Sequence, residues 1–478
     1  MFPTLLLALS VGGCLYGLVC ALHNLYFSPL RHIPGPWYAA VSDFWLWTCF
    51  LRLRQCQIIH GLFEVYGPVV RIGPRRVAFN DVAGVKSVYC VHRLDKSDLY
   101  KMALECGQDH AFCIRERGPH AARRKTFAQH YTQHHILNFL PQMQERVAAL
   151  ISILKTKDEP VDCLSMFHCL MTDVLLTTTF GAHRDAFQKW ASGEEDVSVA
   201  MEDFPKRGML RTSLPAWLWR LLTSLPIPRW RRFCAADEIV YKFVSDIVDD
   251  DIVKRLRDEL DGVADSGMGS RDILALQKLP YLNAVLKEGE SPLRLYTAVP
   301  SLLERVVPHL QKGDEPFDLL GYSIPGGTVV GVQLSTFEQW SLSRDPTVFP
   351  SPYKVIPERW LDGDVSSLRA NDNNCLQADN TSRLHTANDI SRSQPTDLTT
   401  LQSHSFPFGF GSRICVGRHL ALMMMQLVVA GLVREFDIEA PPGTDERSME
   451  VRDMFAIFPA GLACKLVFRP RSSTGQAC

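Results

Sequence analysis

Cys415 stands in the stretch SFPFGFGSRICVGRHLALMMMQLVV, residues 405–429, where a glycine-rich loop leads into an apolar helical pattern. A lone cysteine is most often a small buried hydrophobic residue. A phosphate-binding loop is also glycine-rich, but no strand precedes a G-x-G-x-x-G spacing here and the loop has no Walker lysine. A cysteine that opens a helix beside Arg413 is instead suited to act as a thiolate ligand. Since none of the 14 cysteines belongs to a C-x-x-C pair, we expect a metal site with a single protein sulfur.

Five residues of this loop reproduce the pattern F-x-x-G-x-R-x-C-x-G without a gap: Phe408, Gly411, Arg413, Cys415 and Gly417. The pattern resembles the haem-binding signature of the cytochrome P450 family. The resemblance implies haem b as cofactor, with the cysteine thiolate as the proximal iron ligand that favours O–O cleavage. It further implies that the arginine pairs with a haem propionate, that the phenylalanine shields the sulfur and that the glycines allow the porphyrin to approach closely.

A second stretch, RERGPHAARRKTF at residues 115–127, resembles the family helix that holds the other haem propionate. By this resemblance His120 occupies the usual tryptophan position and Arg124 the arginine position. A solvated basic face, or a docking surface for an acidic reductase, is the alternative interpretation of Arg124 and its basic neighbours Arg123 and Lys125.

A third stretch, VIPERW at residues 355–360, resembles the family loop in which an arginine completes a buried charge triad with a Glu and an Arg of an upstream helix. Here the triad would consist of Glu288, Arg294 and Arg359. The family usually reads K-E-x-x-R, but this chain reads LKEGESPLRLY, with a proline that would cost about 3 kcal/mol inside a helix. Removing the three residues ESP would restore the family spacing, so we expect an insertion at this point.

The oxygen-activating helix of the family is not recognisable in the sequence. Such a helix typically carries an acid–alcohol pair, because splitting bound O₂ requires two delivered protons. The stretch VYKFVSDIVDDDIVKRLRDELDGV, residues 240–263, passes directly from what resembles the preceding helix to what resembles the following one. We therefore expect several dozen residues to be missing near Asp249–Asp251 and identify no catalytic acid–alcohol pair. Thr172 and Asp173 are interpreted as core residues.

The N-terminal stretch FPTLLLALSVGGCLYGLVCAL contains no charged residue, and a helix of this length covers the roughly 30 Å hydrocarbon core of a bilayer. We predict a membrane anchor at residues 1–25 and a proline-rich linker at 26–40, which resembles that of fungal microsomal members of the family. A cleaved signal peptide is the alternative. The first basic residues follow the apolar stretch, which predicts a single-pass protein of the endoplasmic reticulum membrane with its catalytic domain in the cytosol.

Composition and periodicity describe the remainder of the chain. With 46% hydrophobic residues, 478 residues can bury a large core, and 51 basic against 52 acidic residues give no charge excess that would favour nucleic acid. Apolar periodicity predicts helices at 136–155, 161–180 and 235–248, whereas 69–79 and 318–332 are typical of strands. The predicted fold is mainly α with small β-sheets, a P450-like haem-thiolate domain at 41–478 with a polar insertion at 362–404.

The resemblance implies a monooxygenase that inserts one oxygen atom from O₂ into a small apolar organic substrate, with NADPH electrons delivered by NADPH–cytochrome P450 reductase. One alternative is an inert, membrane-attached haem-binding product of an incomplete gene model. Another is a haem-thiolate isomerase or dehydratase that uses no external O₂. The tryptophan-rich segment TSLPAWLWRLLTSLPIPRWRRF, residues 212–233, is either a membrane-dipping substrate entrance or an amphipathic packing segment.

Overall fold

The computed structural model describes residues 2–103, 109–181, 185–193, 216–235, 302–309, 315–333, 408–454 and 456–471, together with single positions between 203 and 214 and at 311. Several sequence predictions lie outside these residues. They are the helix at 235–248, the shortened stretch at Asp249–Asp251, the insertion at 362–404 and the triad Glu288, Arg294 and Arg359.

α-Helices are the most abundant regular elements of the described chain. In chain order they are α1 Phe2–Leu22, α2 Trp37–Val41, α3 Phe44–Leu51, α4 Gln55–Tyr66, α5 Val82–Val85, α6 Arg117–Phe127, α7 Gln133–Leu137, α8 Leu140–Leu154, α9 Cys163–Phe180, α10 Ala186–Ser192, α11 Ala216–Thr223, α12 Pro228–Cys234 and α13 Arg418–Glu435. The helices predicted at 136–155 and 161–180 are confirmed as α8 and α9, each with a short additional element before it.

Strands form small sheets beside the helices. They are β1 Val69–Gly73, β2 Arg76–Phe79, β3 Asp95–Lys96, β4 Val161–Asp162, β5 Leu303–Val306, β6 Phe317–Leu319, β7 Tyr322–Ile324, β8 Val329–Val332, β9 Phe436–Glu439, β10 Val451–Met454, β11 Ala456–Pro459 and β12 Lys465–Pro470. One sheet has the order β1-β2-β8-β5-β3, with only β2 and β8 parallel. A second has the order β4-β12-β9, and β6–β7 and β10–β11 are hairpins. The strands predicted at 69–79 and 318–332 are confirmed.

The helical core lies where α8, α9 and α13 meet. Met143, Val147, Leu150 and Leu154 form one buried stripe of α8 at three- and four-residue spacing. The buried stripe of α13 has the same spacing and packs in the same cluster, with Leu420, Met423, Met424 and Leu427 as its members. Because this stripe anchors α13 in the core, the loop that precedes the helix ends at a rigid element.

Thr172 and Asp173 have the structural role expected from the sequence. Asp173 is buried on α9, and its carboxylate accepts the backbone N–H groups of Ala186 and Phe187 at 2.8 and 3.0 Å, at the start of α10. The Thr172 hydroxyl donates to the carbonyl of His168, one turn earlier, at 2.8 Å. Both side chains therefore make hydrogen bonds within the helical core.

The segment predicted as a linker packs onto the five-stranded sheet. Leu30 and Ile33 are 1% and 4% exposed and belong to the core of that sheet. The buried guanidinium of Arg71, on β1, donates to the carbonyl of Asn24 and to the hydroxyl of Ser28 at 3.0 and 3.2 Å. The connection between α1 and the domain is therefore built into the fold from about residue 24 onward.

The N-terminal apolar stretch is helical over Phe2–Leu22, as predicted. Among the described residues, no helix combines the length and the apolar character needed to cross a membrane. The predicted transmembrane span is thus not supported by the structure.

The tryptophan-rich segment forms α11 and α12 and exposes much of its apolar surface. Trp217, Leu221 and Ile227 are 68%, 62% and 54% exposed. Trp230 is half-buried and its indole N–H donates to the carbonyl of Leu222 at 2.6 Å, which holds the two helices together. This segment is therefore not fully packed against the described part of the domain.

Candidate haem-thiolate site

Cys415 lies at the exposed end of a tight loop that leads into α13. Its backbone N–H donates to the carbonyl of Phe408 at 2.9 Å, which closes the loop around a 3₁₀ turn at Gly411–Arg413. Gly411 has φ of +65°, and a Cβ built on it would lie 2.5 Å from the carbonyl oxygen of Tyr89. A side chain at position 411 would thus strain the backbone and collide with the neighbouring segment.

Two arginines predicted to contact haem hold this loop in place. Arg413 donates to the carbonyls of Ile114, Arg115 and Glu116 at 2.9, 2.8 and 3.2 Å. Arg124, on α6, donates to the carbonyl of Ile414, the residue before the cysteine, at 2.7 Å. Guanidinium groups bonded to neutral carbonyls keep their charge available to an anion.

An aromatic contact joins the loop to the five-stranded sheet. The Phe410 ring meets the buried Tyr89 ring edge to face, with 4.7 Å between centroids. The Tyr89 hydroxyl donates to the carbonyl of Leu303 and accepts the N–H of Val332 at 3.0 Å. Phe408 is half-buried, with the Arg418 guanidinium carbon 5.9 Å from its ring centroid. The sequence pattern indicated Phe408 but not Phe410 or Tyr89.

Two further cations, which the sequence analysis missed, lie beside this loop. Lys96 of β3 and Arg305 of β5 are directly opposite each other in the antiparallel register, and both are buried. The Lys96 ammonium donates to the carbonyl of Phe112 and lies 4.1 Å from the ring centroid of Tyr100. Like charges directly opposite each other in a sheet destabilise it, so this register favours either an uncharged amine at position 96 or an anion beside the pair.

The adjacent charges perturb one another in a consistent direction. Burial, with Arg305 and Arg413 nearby, lowers the pKa of Lys96 to about 6. Burial and the same cations, together with Arg124, lower the pKa of His120 to about 4. Burial followed by Arg305 lowers the pKa of Arg413 to about 10. These basic groups, here called the cation cluster, are Lys96, His120, Arg124, Arg305 and Arg413, of which the three arginines carry the charge at neutral pH.

The cation cluster fits the two propionate carboxylates of haem. Among the described residues, no ion pair joins a cluster member to an Asp or Glu side chain. The carboxylate of Glu304, next to Arg305 in the chain, instead pairs with Arg76 and accepts the hydroxyl of Ser97. An anionic group beside Cys415 would therefore meet guanidinium charges that have no carboxylate partner in the described part of the chain, close to an accessible thiol. The sequence offered one signal for Arg305, a charged pair inside the apolar strand sequence LERVV.

Comparison with known proteins decides the family. A sequence model described as Cytochrome P450 matches residues 241–465. A crystal structure of a cytochrome P450 (CYP102L1) aligns with a TM-score of 0.58 over 83% of this chain and 92% of that chain, at 15% identity. The chain belongs to the cytochrome P450 family. This P450 is accordingly a haem-dependent oxidoreductase of the monooxygenase type.

The curated relatives of this P450 are fungal and similar over most of their length. It is 26% identical to the cytochrome P450 monooxygenase stcB of Emericella nidulans, over 91% of this chain and 87% of the relative. It is 24% identical to the tryprostatin B 6-hydroxylase of Aspergillus fumigatus, over 92% and 80%. It is 25% identical to the N-acetyltryptophan 6-hydroxylase ivoC of Emericella nidulans, over 95% and 94%. The fungal character predicted from the sequence is thus confirmed.

Proposed function

We propose that this P450 inserts one oxygen atom from O₂ into an apolar organic substrate, using NADPH electrons from a cytochrome P450 reductase, with Cys415 as the proximal ligand of the haem iron. The observation that carries the proposal is an accessible thiol at the start of α13 beside the cation cluster, whose members have no carboxylate partner among the described residues. When bound, the haem supplies oxygen activation, and a thiolate ligand increases the electron density that favours O–O cleavage.

The residues of the chain have separate tasks in this proposal. Arg413, Arg124, Lys96 and Arg305 hold the propionate carboxylates, while the neutral His120 lines the same wall. The hydrogen bonds from Arg413 and Arg124 to backbone carbonyls hold the cysteine loop in position without any contact from the cofactor. Preorganised positive charge in a buried site costs little reorganisation when the anion binds.

The ligand assignment is tested by replacing Cys415 with alanine. We expect the reduced, carbon monoxide-treated protein to show the long-wavelength absorption band of thiolate-ligated haem, and Cys415→Ala to lose it. Cys90 is a matched control, since it is also an exposed free cysteine and lies next to Gly411. Cys90→Ala should keep the band. An unchanged band in Cys415→Ala would assign the ligand to another residue.

The reaction is tested with purified protein, a fungal reductase, NADPH and isotopically labelled O₂. The names of the two hydroxylase relatives support hydroxylation as the form of oxygen insertion. We expect a product that contains one labelled oxygen atom, in proportion to the NADPH consumed. Turnover without NADPH or O₂ would favour the isomerase or dehydratase alternative. Haem loading with no turnover for any panel of apolar substrates would favour the inert alternative.

We also place the protein at the endoplasmic reticulum membrane, with the catalytic domain in the cytosol. The uncharged helix α1 and the exposed tryptophan-containing surface of α11 support this proposal.

A further inference from the structure

Lys96 is a buried amine whose described contacts include no anion. Its side chain is enclosed by the rings of Tyr100 and Phe112, with the ammonium 4.1 and 4.5 Å from their centroids, and it donates to the carbonyl of Phe112. Cation–π contacts and one neutral acceptor compensate only part of the cost of burying an ammonium group.

Titratable and charged groups face Lys96 from every element packed around it. They are Arg305 on β5, Tyr100 on the following 3₁₀ helix, Cys113 before α6, His120 on α6 and Arg413 in the cysteine loop. Asp95, its neighbour on β3, is exposed and accepts the backbone N–H of Arg117. The charged members of this set are guanidinium groups, so an ammonium at position 96 is opposed by its surroundings.

We propose that Lys96 takes up a proton when haem binds, so that the affinity of this P450 for haem falls as the pH rises. The inference rests on the proposed function, because it requires the propionates to lie against the cation cluster. Two carboxylates placed there would replace repulsion by attraction and favour the charged amine. Haem binding and protonation of Lys96 would then be linked equilibria.

The sign and the range of the pH effect follow from the two states of the amine. Without haem, burial and the neighbouring guanidiniums hold the pKa of Lys96 near 6. With haem, the propionates raise this pKa. Between the two values haem binding consumes a proton, and the affinity falls by up to about tenfold per pH unit. Below about pH 6 the amine is charged in both states, and its contribution to the slope disappears.

The test measures how haem partitions between the holoprotein and an excess of a haem-scavenging apoglobin, from about pH 6 to about pH 8.5. Comparing variants at each pH cancels the scavenger's own pH dependence. Lys96→Met keeps the length of the side chain and cannot take up a proton. Lys96→Arg is always charged. Lys86→Met is the control, because Lys86 is an exposed lysine outside the cluster.

We expect the wild-type protein and Lys86→Met to lose haem affinity in parallel as the pH rises. Relative to these two proteins, Lys96→Met should bind haem more weakly at low pH, and Lys96→Arg should bind haem more tightly at high pH. In both variants the haem affinity should depend less steeply on pH. If Lys96→Met does not fold, the comparison of Lys96→Arg with the wild type tests the inference by itself. Equal slopes in the wild type and Lys96→Arg, with the thiolate absorption band intact, would overturn this inference and leave the proposed function standing. Absence of that band in the wild type would overturn both.

Discussion

Gly411 allows the cysteine loop to approach the Tyr89 segment, and its neighbour Gly409 provides a matched comparison. Both residues have positive φ, at +65° and +74°. A Cβ at 411 would lie 2.5 Å from a backbone oxygen, whereas a Cβ at 409 would have no heavy atom within 4 Å. The left-handed backbone alone costs about 1–2 kcal/mol for alanine.

We therefore expect Gly409→Ala to lower the unfolding free energy by about 1–2 kcal/mol and to keep its haem. Gly411→Ala should be distinctly less stable and lose haem, because the loop must move to relieve the collision. Thermal unfolding and haem content per chain measure the two effects. Equal stability and equal haem content in the two variants would show that the close contact at 411 has no energetic importance.

At the scale of single residues, the sequence was sufficient to identify those that belong to one continuous pattern. Cys415, Arg413 and Gly411 lie within five positions of one another, so their relation is visible in the chain. Lys96 and Arg305 are adjacent only because β3 pairs with β5 across more than two hundred residues. No local spacing carries that information, and the cation cluster therefore required the structure.

The hairpin β10–β11 supplies the helix cap that α4 lacks in its own sequence. The residue preceding α4, Arg54, makes no side-chain capping bond. Asp453 of β10 is 1% exposed, and its carboxylate oxygens accept the N–H of Cys56 in the first turn at 3.3 and 3.2 Å. A negative group at this end also interacts favourably with the helix dipole.

We predict that Asp453→Ala lowers the unfolding free energy by about 1–3 kcal/mol, because it leaves a buried N–H without its acceptor. Asp453→Asn keeps an acceptor oxygen and should lose less. Burial raises the pKa of Asp453 above its usual 3.8. The native state therefore binds the proton more tightly, and the contribution of Asp453 to stability falls as the pH rises through the interval above 3.8.

The melting temperature of Asp453→Asn relative to wild type should accordingly increase between about pH 4 and pH 7. Glu446→Ala, an exposed acidic residue just before this hairpin, is the control and should track the wild type. A relative melting temperature that decreases over this range would contradict the assigned direction of the pKa shift.

At the scale of elements, the sequence was sufficient to predict helices with a strong apolar periodicity. It was not sufficient to predict which other elements pack against them. The spacing of Met143, Val147 and Leu150 is sufficient to predict α8, since one buried stripe requires a helix. The contact of α4 with β10 joins positions nearly four hundred residues apart, and the donor in its hydrogen bonds is a backbone N–H, which every residue except proline has. Such docking leaves no sequence pattern.

At the scale of the whole molecule, the proposed membrane attachment can be separated from folding by two truncations. Removing residues 1–22 deletes α1 but keeps Asn24 and Ser28, the partners of Arg71. We expect this protein to fold, to bind haem and to enter the soluble fraction after carbonate extraction. Removing residues 1–35 also deletes the buried side chains of Leu30 and Ile33 and should destabilise the domain by several kcal/mol. Full retention of the shorter truncation in membranes would assign attachment to another surface, such as α11.

The bonds of Arg71 also determine how the N-terminal segment responds to proteases and to solvent. The guanidinium binds Asn24 and Ser28 on one side and the carbonyls of Gly73 and Pro74 on the other, and its backbone N–H donates to Pro34 at 2.7 Å. Residues 24–34 therefore cannot detach without breaking the edge of the main sheet. Amide exchange at Arg71 should be as slow as in the sheet interior, and limited proteolysis should leave this junction uncut until the sheet itself opens.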